Sequence, residues 1–322
     1  MIDIASMLEN MSLGDFLFII VFPLVLLLLL LIIFISGLLK KKIKRDFMSL
    51  DEFIMDWLRD HGQAHKLDDQ FAKMRKDPAG RIYMPITYHG AKFAIKCGLT
   101  PNKVSYINLI LSFLIFYGVI MASRGHTLDL FTQQPYYGVW FIPLAFLALF
   151  TGIIDGIDGA IARLTETKSR AGAWLDNVID RISDILLLVC LVPTSFLVFP
   201  EYGLDFTWII WTNIFLIFLY EYMRSRHEGL GLHEAKPFVG ERITRFFIIF
   251  TFFLIYGISS FFILITNWID PSATKIWAHS HGGTIKWNML IFQINLLLIM
   301  VFSSIKLAQY SLKNLKKLDG IK

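Results

Sequence analysis

The sequence predicts an all-α integral membrane protein. Hydrophobic residues make up 55% of the 322 positions and charged residues only 18%, against about a quarter in soluble domains. Apolar windows long enough to span a bilayer recur along the chain, and the mean hydropathy is +0.57.

A spanning helix takes about 20 apolar residues. Windows of that kind fall near residues 14–39, 104–123, 138–160, 182–199, 207–223, 246–266 and 288–309, which predicts seven spans. The first, "LGDFLFIIVFPLVLLLLLLIIFISGLL", is too long for a signal-peptide core and is followed, not preceded, by its basic run "KKKIKR". It reads as a retained anchor with the amino terminus outside, over residues 1–39.

The positive-inside rule is tested on the loops that follow. Alternating spans put "KKKIKR", Arg163 with Lys168 and Arg170, the Arg224–Arg245 stretch and the tail "KNLKKLDGIK" on one side. The opposite loops hold Arg124, Lys275 and Lys286, so the bias makes the first side cytoplasmic. The net charge of +5 reads as topogenic, with some attraction to anionic headgroups, and nothing points to nucleic acid. Cys97 and Cys190 fall at different depths, so no disulfide is expected.

Residues 40–99 are mixed in character and read as short helices on the cytoplasmic surface. In "LDEFIMDWLRD", Leu50, Phe53, Ile54, Trp57 and Leu58 follow helical spacing. That stripe suits either a helix in the membrane interface or one packed on the protein's own surface. Pro101 in "GLTPNK" opens the next helix at its first turn. Residues 100–312 read as one six-helix core and 313–322 as a basic tail. "HSHGG", with His279 and His281, reads as a solvated loop, His227 and His233 as polar loop residues, and the aromatics of "NWIDPSATKIWAH" as an interfacial belt.

The informative stretch is "DGIDGAIARLTETKSRAGAWLDNVIDRISD", residues 155–184. Aspartates at a membrane helix end are costly unless they meet cations or water, so a cluster of them signals function. Asp155 and Asp158 are three apart and Asp176 and Asp180 four apart, so each pair shares one face of its helix. A short turn through "TETKSR" makes the two helices antiparallel and can bring the four carboxylates together. Like charges at that range repel unless protons or cations intervene, and hard oxygen ligands favour magnesium, manganese or calcium. Gly156, Gly159, Ala160, Ala162, Ala171, Gly172 and Ala173 leave room for close approach, and Arg163 can grip a phosphate with two donors. Together these residues read as a phosphate-handling site open to lipid.

The same stretch resembles the CDP-alcohol phosphotransferases, whose signature is DxxDGxxAR, eight residues, then GxxxDxxxD. Every fixed position is filled, and the likeness runs over about residues 85–312. The resemblance implies a six-helix catalytic core, here with an extra N-terminal transmembrane helix, and a homodimer. It further implies two divalent cations, Mg2+ or Mn2+, held by Asp155, Asp158, Asp176 and Asp180, with Asp180 also the general base. Gly159, Ala162, Arg163 and Gly172 would line the cytidine diphosphate of a CDP-lipid, CDP-diacylglycerol or CDP-archaeol.

"LDNVIDRISD", "RSRHEGLGL" and "GERITR" look like the branch that makes phosphatidylinositol phosphate or archaetidylinositol phosphate. In that branch the residues matching Arg224, Arg226 and Arg245 would hold the phosphate of a phosphorylated alcohol, inositol phosphate. Arg224 stands where lysine is frequent, and "GERITR" lacks a second glutamate, so glycerol phosphate stays the nearest rival, with serine behind it. A cation-coupled transporter using the same carboxylates is the alternative of a different class. It would want broken helices and an inverted repeat, and the sequence has no such repeat.

Overall fold

The computed structural model describes residues 11–39, 46–60, 67–123, 135–232 and 238–320. The basic run at 40–45 and His233 lie outside them. Helix α1 (Leu13–Leu38) contains a wide π turn at Leu17–Val21, just before Pro23. Proline has no N–H to offer the carbonyl four residues back, which is that of Ile19. The Tyr117 hydroxyl donates to it instead, at 2.9 Å.

Three helices follow before the core: α2 (Leu50–Asp60), α3 (Leu67–Lys76) and α4 (Pro78–Lys96). A reciprocal cap starts α2, with Ser49 N–H donating to Glu52 at 2.7 Å and Glu52 N–H to Ser49 Oγ at 3.3 Å. Phe53, Ile54 and Leu58 are buried in one cluster with Met84, Tyr88 and Ala91 of α4. The apolar stripe therefore packs on the protein itself, each buried side chain contributing roughly 1.5–3 kcal/mol.

The remaining helices are α5 (Pro101–Ser123), α6 (Phe141–Leu164), α7 (Arg170–Val189), α8 (Trp208–Gly229), α9 (Arg242–Ile269) and α10 (Pro271–Leu318). Among the described residues, α1, α5, α9 and the segments Gly138–Leu164 and Gly282–Leu318 are long and apolar enough to cross a membrane. Helices α7 and α8 carry more charge, and α8 presents an exposed apolar face with Trp211, Phe215 and Phe218. Helices α6 and α7 both pack chiefly against α5, while α10 packs on α8 and α9.

Three expectations change. The helix of the 182–199 window begins at Arg170, as the turn through "TETKSR" requires, but ends at Val189, short of the window's end. Turns follow, and then a two-stranded antiparallel pair, β1 (Val198–Phe199) with β2 (Leu204–Asp205). Pro193 cannot continue the helix, and the charged first half escaped an apolar window. "HSHGG" is not a loop, since its backbone is helical within α10. His227 is not a polar loop residue either: it is buried in α8, its Nδ1 2.9 Å from Ser311 Oγ and its ring stacked on Tyr310.

Candidate active site

Helix α6 ends at Leu164, and Glu166 takes a left-handed φ of 55° in the turn that follows. Ser169 then caps α7, accepting from Gly172 N–H at 3.0 Å. This turn sends α7 back beside α6. Both helices lean on α5 more than on each other, and Gly159, Ala162, Gly172 and Ala173 line open space instead of forming a helix seam, whereas Ala160 is buried in the core. A cavity of about 620 Å³ lies there, lined by Asp155, Asp158, Gly159, Ala162, Arg163, Gly172 and Asp176 among others.

One carboxylate oxygen from each of Asp155, Asp176 and Asp180 falls within 4.8 Å of the others. Asp158 is deeper, 5% exposed, and accepts from Ser105 Oγ at 2.5 Å. Asn108 donates to Asp155 at 3.4 Å, so α5 braces both acids of α6. The four sequence-predicted carboxylates are thus brought together. The donor set is all oxygen and anionic, which fits a hard divalent cation.

Arginine 242, at the start of α9, reaches into this cluster. Its Nη1 contacts Asp155 and lies 2.6 Å from Asp180, while Nε lies 3.2 Å from Asp184. Asp184 extends the acidic stripe of α7 one turn further and works as an arginine partner, 2.7 Å from Arg245 and 3.2 Å from Arg181. Glu221 of α8 meets the same two arginines, at 2.9 and 2.8 Å.

The three arginines expected at an acceptor phosphate are placed differently from one another. Arg226 is exposed, and no ion pair engages it among the described residues. Arg224 is 2.7 Å from Glu241. Arg245 is 3% exposed and tied to Asp184, Glu221 and the Gly240 carbonyl, so in this arrangement it is a buried counter-ion. None of the three, nor Asp180, lines the 620 Å³ cavity.

Several residues here escape the signature. Ser105, Asn108 and Ser112 form a polar stripe at i, i+3 and i+7 on an otherwise apolar helix, a signal legible in sequence. Tyr83 of α4 sets its hydroxyl against Gly156, where an added Cβ would overlap it. Burial raises the Tyr83 hydroxyl well above its ordinary range and the Asp155 charge adds to that, so it stays protonated.

A membrane-embedded helical bundle with clustered carboxylates beside an arginine-lined cavity defines a class: integral membrane enzymes acting on phosphates. Residues 98–310 match the family model of CDP-alcohol phosphatidyltransferase, more than half the chain, and the chain belongs to that family of phospholipid-synthesising enzymes. An archaetidylinositol phosphate synthase of Pyrococcus horikoshii is 27% identical over 197 residues, 59% of this chain and 88% of that protein. An uncharacterized protein of Aquifex aeolicus is 38% identical over 109 residues, 33% of this chain and 53% of its own length, about half of it. A phosphatidylcholine synthase of Agrobacterium fabrum is 39% identical over 80 residues, 24% of this chain and 27% of its own.

Proposed function

We propose that this chain transfers the phosphatidyl-type group of a CDP-activated lipid, CDP-diacylglycerol or CDP-archaeol, to the hydroxyl of a phosphorylated alcohol, foremost inositol phosphate, releasing CMP. One observation carries the reading: the oxygens of Asp155, Asp176 and Asp180 converge beside a cavity lined by Gly159, Ala162, Arg163 and Gly172.

Asp155, Asp158, Asp176 and Asp180 are the residues to hold two divalent cations, Mg2+ or Mn2+. Such ions, when bound, polarise the phosphoryl group and neutralise charge on the departing CMP. The chain's own groups do the rest. Gly159 and Gly172 admit the diphosphate close to the backbone, and Arg163 binds it with paired donors. Asp180 accepts the proton of the acceptor hydroxyl as its oxygen attacks phosphorus, and the bond from phosphorus to the CMP oxygen breaks.

Arg226 is the open cation for an acceptor phosphate, and binding there would draw Arg224 from Glu241. The similarity to archaetidylinositol phosphate synthase along 88% of that relative supports inositol phosphate. Glycerol phosphate is the nearest rival. An acceptor lacking a phosphate, such as choline or serine, is favoured by one observation: Arg224 and Arg245 already have carboxylate partners. We place the catalytic face on the cytoplasmic side, from the charge bias of the loops, and propose a homodimer.

The test is CMP release from a CDP-lipid in detergent with Mg2+ or Mn2+, screening inositol phosphate, glycerol phosphate, serine, inositol and choline in parallel. Release with inositol phosphate alone is expected. Release with an unphosphorylated alcohol moves the acceptor assignment, and no release with any of the five rejects all of them as acceptors.

A further inference from the structure

Helix α2 lies before residues 98–310, the part shared with the family, yet it reaches the donor cavity. Phe53, Trp57 and Asp60 line that cavity together with the signature residues. Asp56 and Asp60, four apart on α2, face Arg163 and Lys168. Asp60 Oδ2 is 3.1 Å from Arg163 Nη2, and Asp56 Oδ2 is 3.8 Å from Arg163 Nε. Lys168, in the turn between α6 and α7, bridges the two acids at 2.6 and 2.8 Å.

The guanidinium is thus paired through Nη2 with Asp60, while Nε, 3.8 Å from Asp56, has no hydrogen-bond partner of its own among the described residues. Its other nitrogen, Nη1, lies over Gly159, 3.2 Å from where a Cβ at that glycine would sit. A guanidinium is a rigid planar fork, so fixing one edge fixes the direction of the other. The Arg163 side chain is 13% exposed, Asp56 28% and Asp60 38%, so solvent screens these pairs in part at their carboxylate end. Partial burial opposes the charge of Asp60, but the hydrogen bond it accepts from Lys168 and the nearby Arg163 charge outweigh it and lower its carboxyl below the usual range.

We infer that Asp60, with Asp56, is a positioning residue of the donor site: it holds Arg163 so that the free edge of the guanidinium faces the diphosphate of a cytidine nucleotide. This rests on the proposed function. It adds to that reading a wall, supplied by this chain's own N-terminal segment, on which nucleotide affinity depends.

The experiment measures CMP binding to the full chain in detergent with Mn2+, for wild type, Asp60→Asn, Arg163→Ala, the double variant and Glu52→Gln. Asp60→Asn is expected to weaken CMP by at least about fivefold, the scale of one partly exposed charge-assisted contact. In the Arg163→Ala background the same change is expected to add nothing, because a residue acting through Arg163 has no further effect once it is gone. Glu52→Gln loosens α2 at its far end, so it is expected to lower the melting temperature without the affinity loss. Unchanged or tighter CMP binding in Asp60→Asn, additivity with Arg163→Ala, or an equal loss in Glu52→Gln would each overturn the inference. A wild type that fails to bind CMP rejects instead the reading of the cavity as a nucleotide site.

Discussion

The guanidinium of Arg242 lies 2.6 Å from the carboxylate of Asp180, although the two residues sit on different helices, 62 positions apart in the chain. The same guanidinium touches Asp155 and Asp184. A single side chain therefore neutralises acids from α6 and α7 at once. Removing it takes the close cation from Asp155 and Asp180, while Asp184 keeps Arg245 and Arg181; losing one partner of a buried pair costs roughly 3–5 kcal/mol. Arg242→Ala is expected to lower the melting temperature in chelator by on the order of 10 °C. Millimolar Mg2+ or Mn2+ is expected to restore much of it, because a divalent ion repairs the same deficit of positive charge. A melting curve in chelator and in metal checks both halves, and a loss that metal does not touch counts against the acids as its ligands.

Asp180→Asn tests the base assignment. The amide keeps the shape and cannot accept the hydroxyl proton, so CMP release is expected to fall by about 10²- to 10⁴-fold, the usual range for a general base. The melting temperature should stay close to that of wild type. Turnover within a few-fold of wild type would remove Asp180 from that role.

Arg226→Ala tests the acceptor side. The KM for inositol phosphate is expected to rise about tenfold or more, with that for the CDP-lipid little changed, since one charge-assisted contact is worth about 1.5–3 kcal/mol. An equal rise for both substrates would mean there is no separate acceptor pocket.

Gly156→Ala forces a methyl group into the Tyr83 hydroxyl. Overpacking of this kind costs about 1–3 kcal/mol. Adding Tyr83→Ala is expected to recover part of the lost melting temperature, although Tyr83→Ala alone should lower it. Strict additivity of the two changes would show that the contact does not constrain position 156.

The latch between α2 and the α6–α7 turn predicts a pH signature. Burial opposes the Lys168 charge, but the hydrogen bonds it donates to Asp56 and Asp60 outweigh it and raise the ammonium above its ordinary range. A raised lysine stabilises fully below its unfolded value and loses that contribution as pH rises through the folded one. Asp60, lowered, contributes above its unfolded value and loses the contribution as pH falls through the folded one. The difference in melting temperature between wild type and Lys168→Met should therefore be flat from about pH 5 to 9 and shrink at both extremes. A difference that peaks inside that window would contradict the pairing.

The acids of this site were legible because their spacing encodes one helix face each, and because the turn from Thr165 to Ser169 is too short to do anything but reverse the chain. From the sequence, Arg242 reads as one of four arginines on a cytoplasmic wall open to an acceptor phosphate, not as the partner of Asp155, Asp180 and Asp184 that it is. Nothing local says that a residue 87 positions from Asp155 will enter its cluster. Tyr83, Asp56 and Asp60 were hidden for the same reason, since their partners are distant in sequence. The end of α7 at Val189 was missed because a hydropathy window sees apolar length and not the helix stop at Pro193. Arg245 shows the limit most plainly: a basic residue at a helix start reads as open to anions, and only packing reveals Asp184 and Glu221 beside it.

The docking of α1 bears on how this protein can be dissected. Gly98, at φ 72°, lets the chain pass against the Gly37 carbonyl, Lys103 reaches Ser36 at 2.7 Å, and Tyr117 caps the carbonyl that Pro23 leaves bare. The leucine-rich segment is therefore a keyed stave and not an interchangeable leash. Cutting it away, or swapping in a generic hydrophobic helix, would remove the Ser36 contact of Lys103 and the Ile19 carbonyl that Tyr117 donates to, both on the helix that braces the clustered acids.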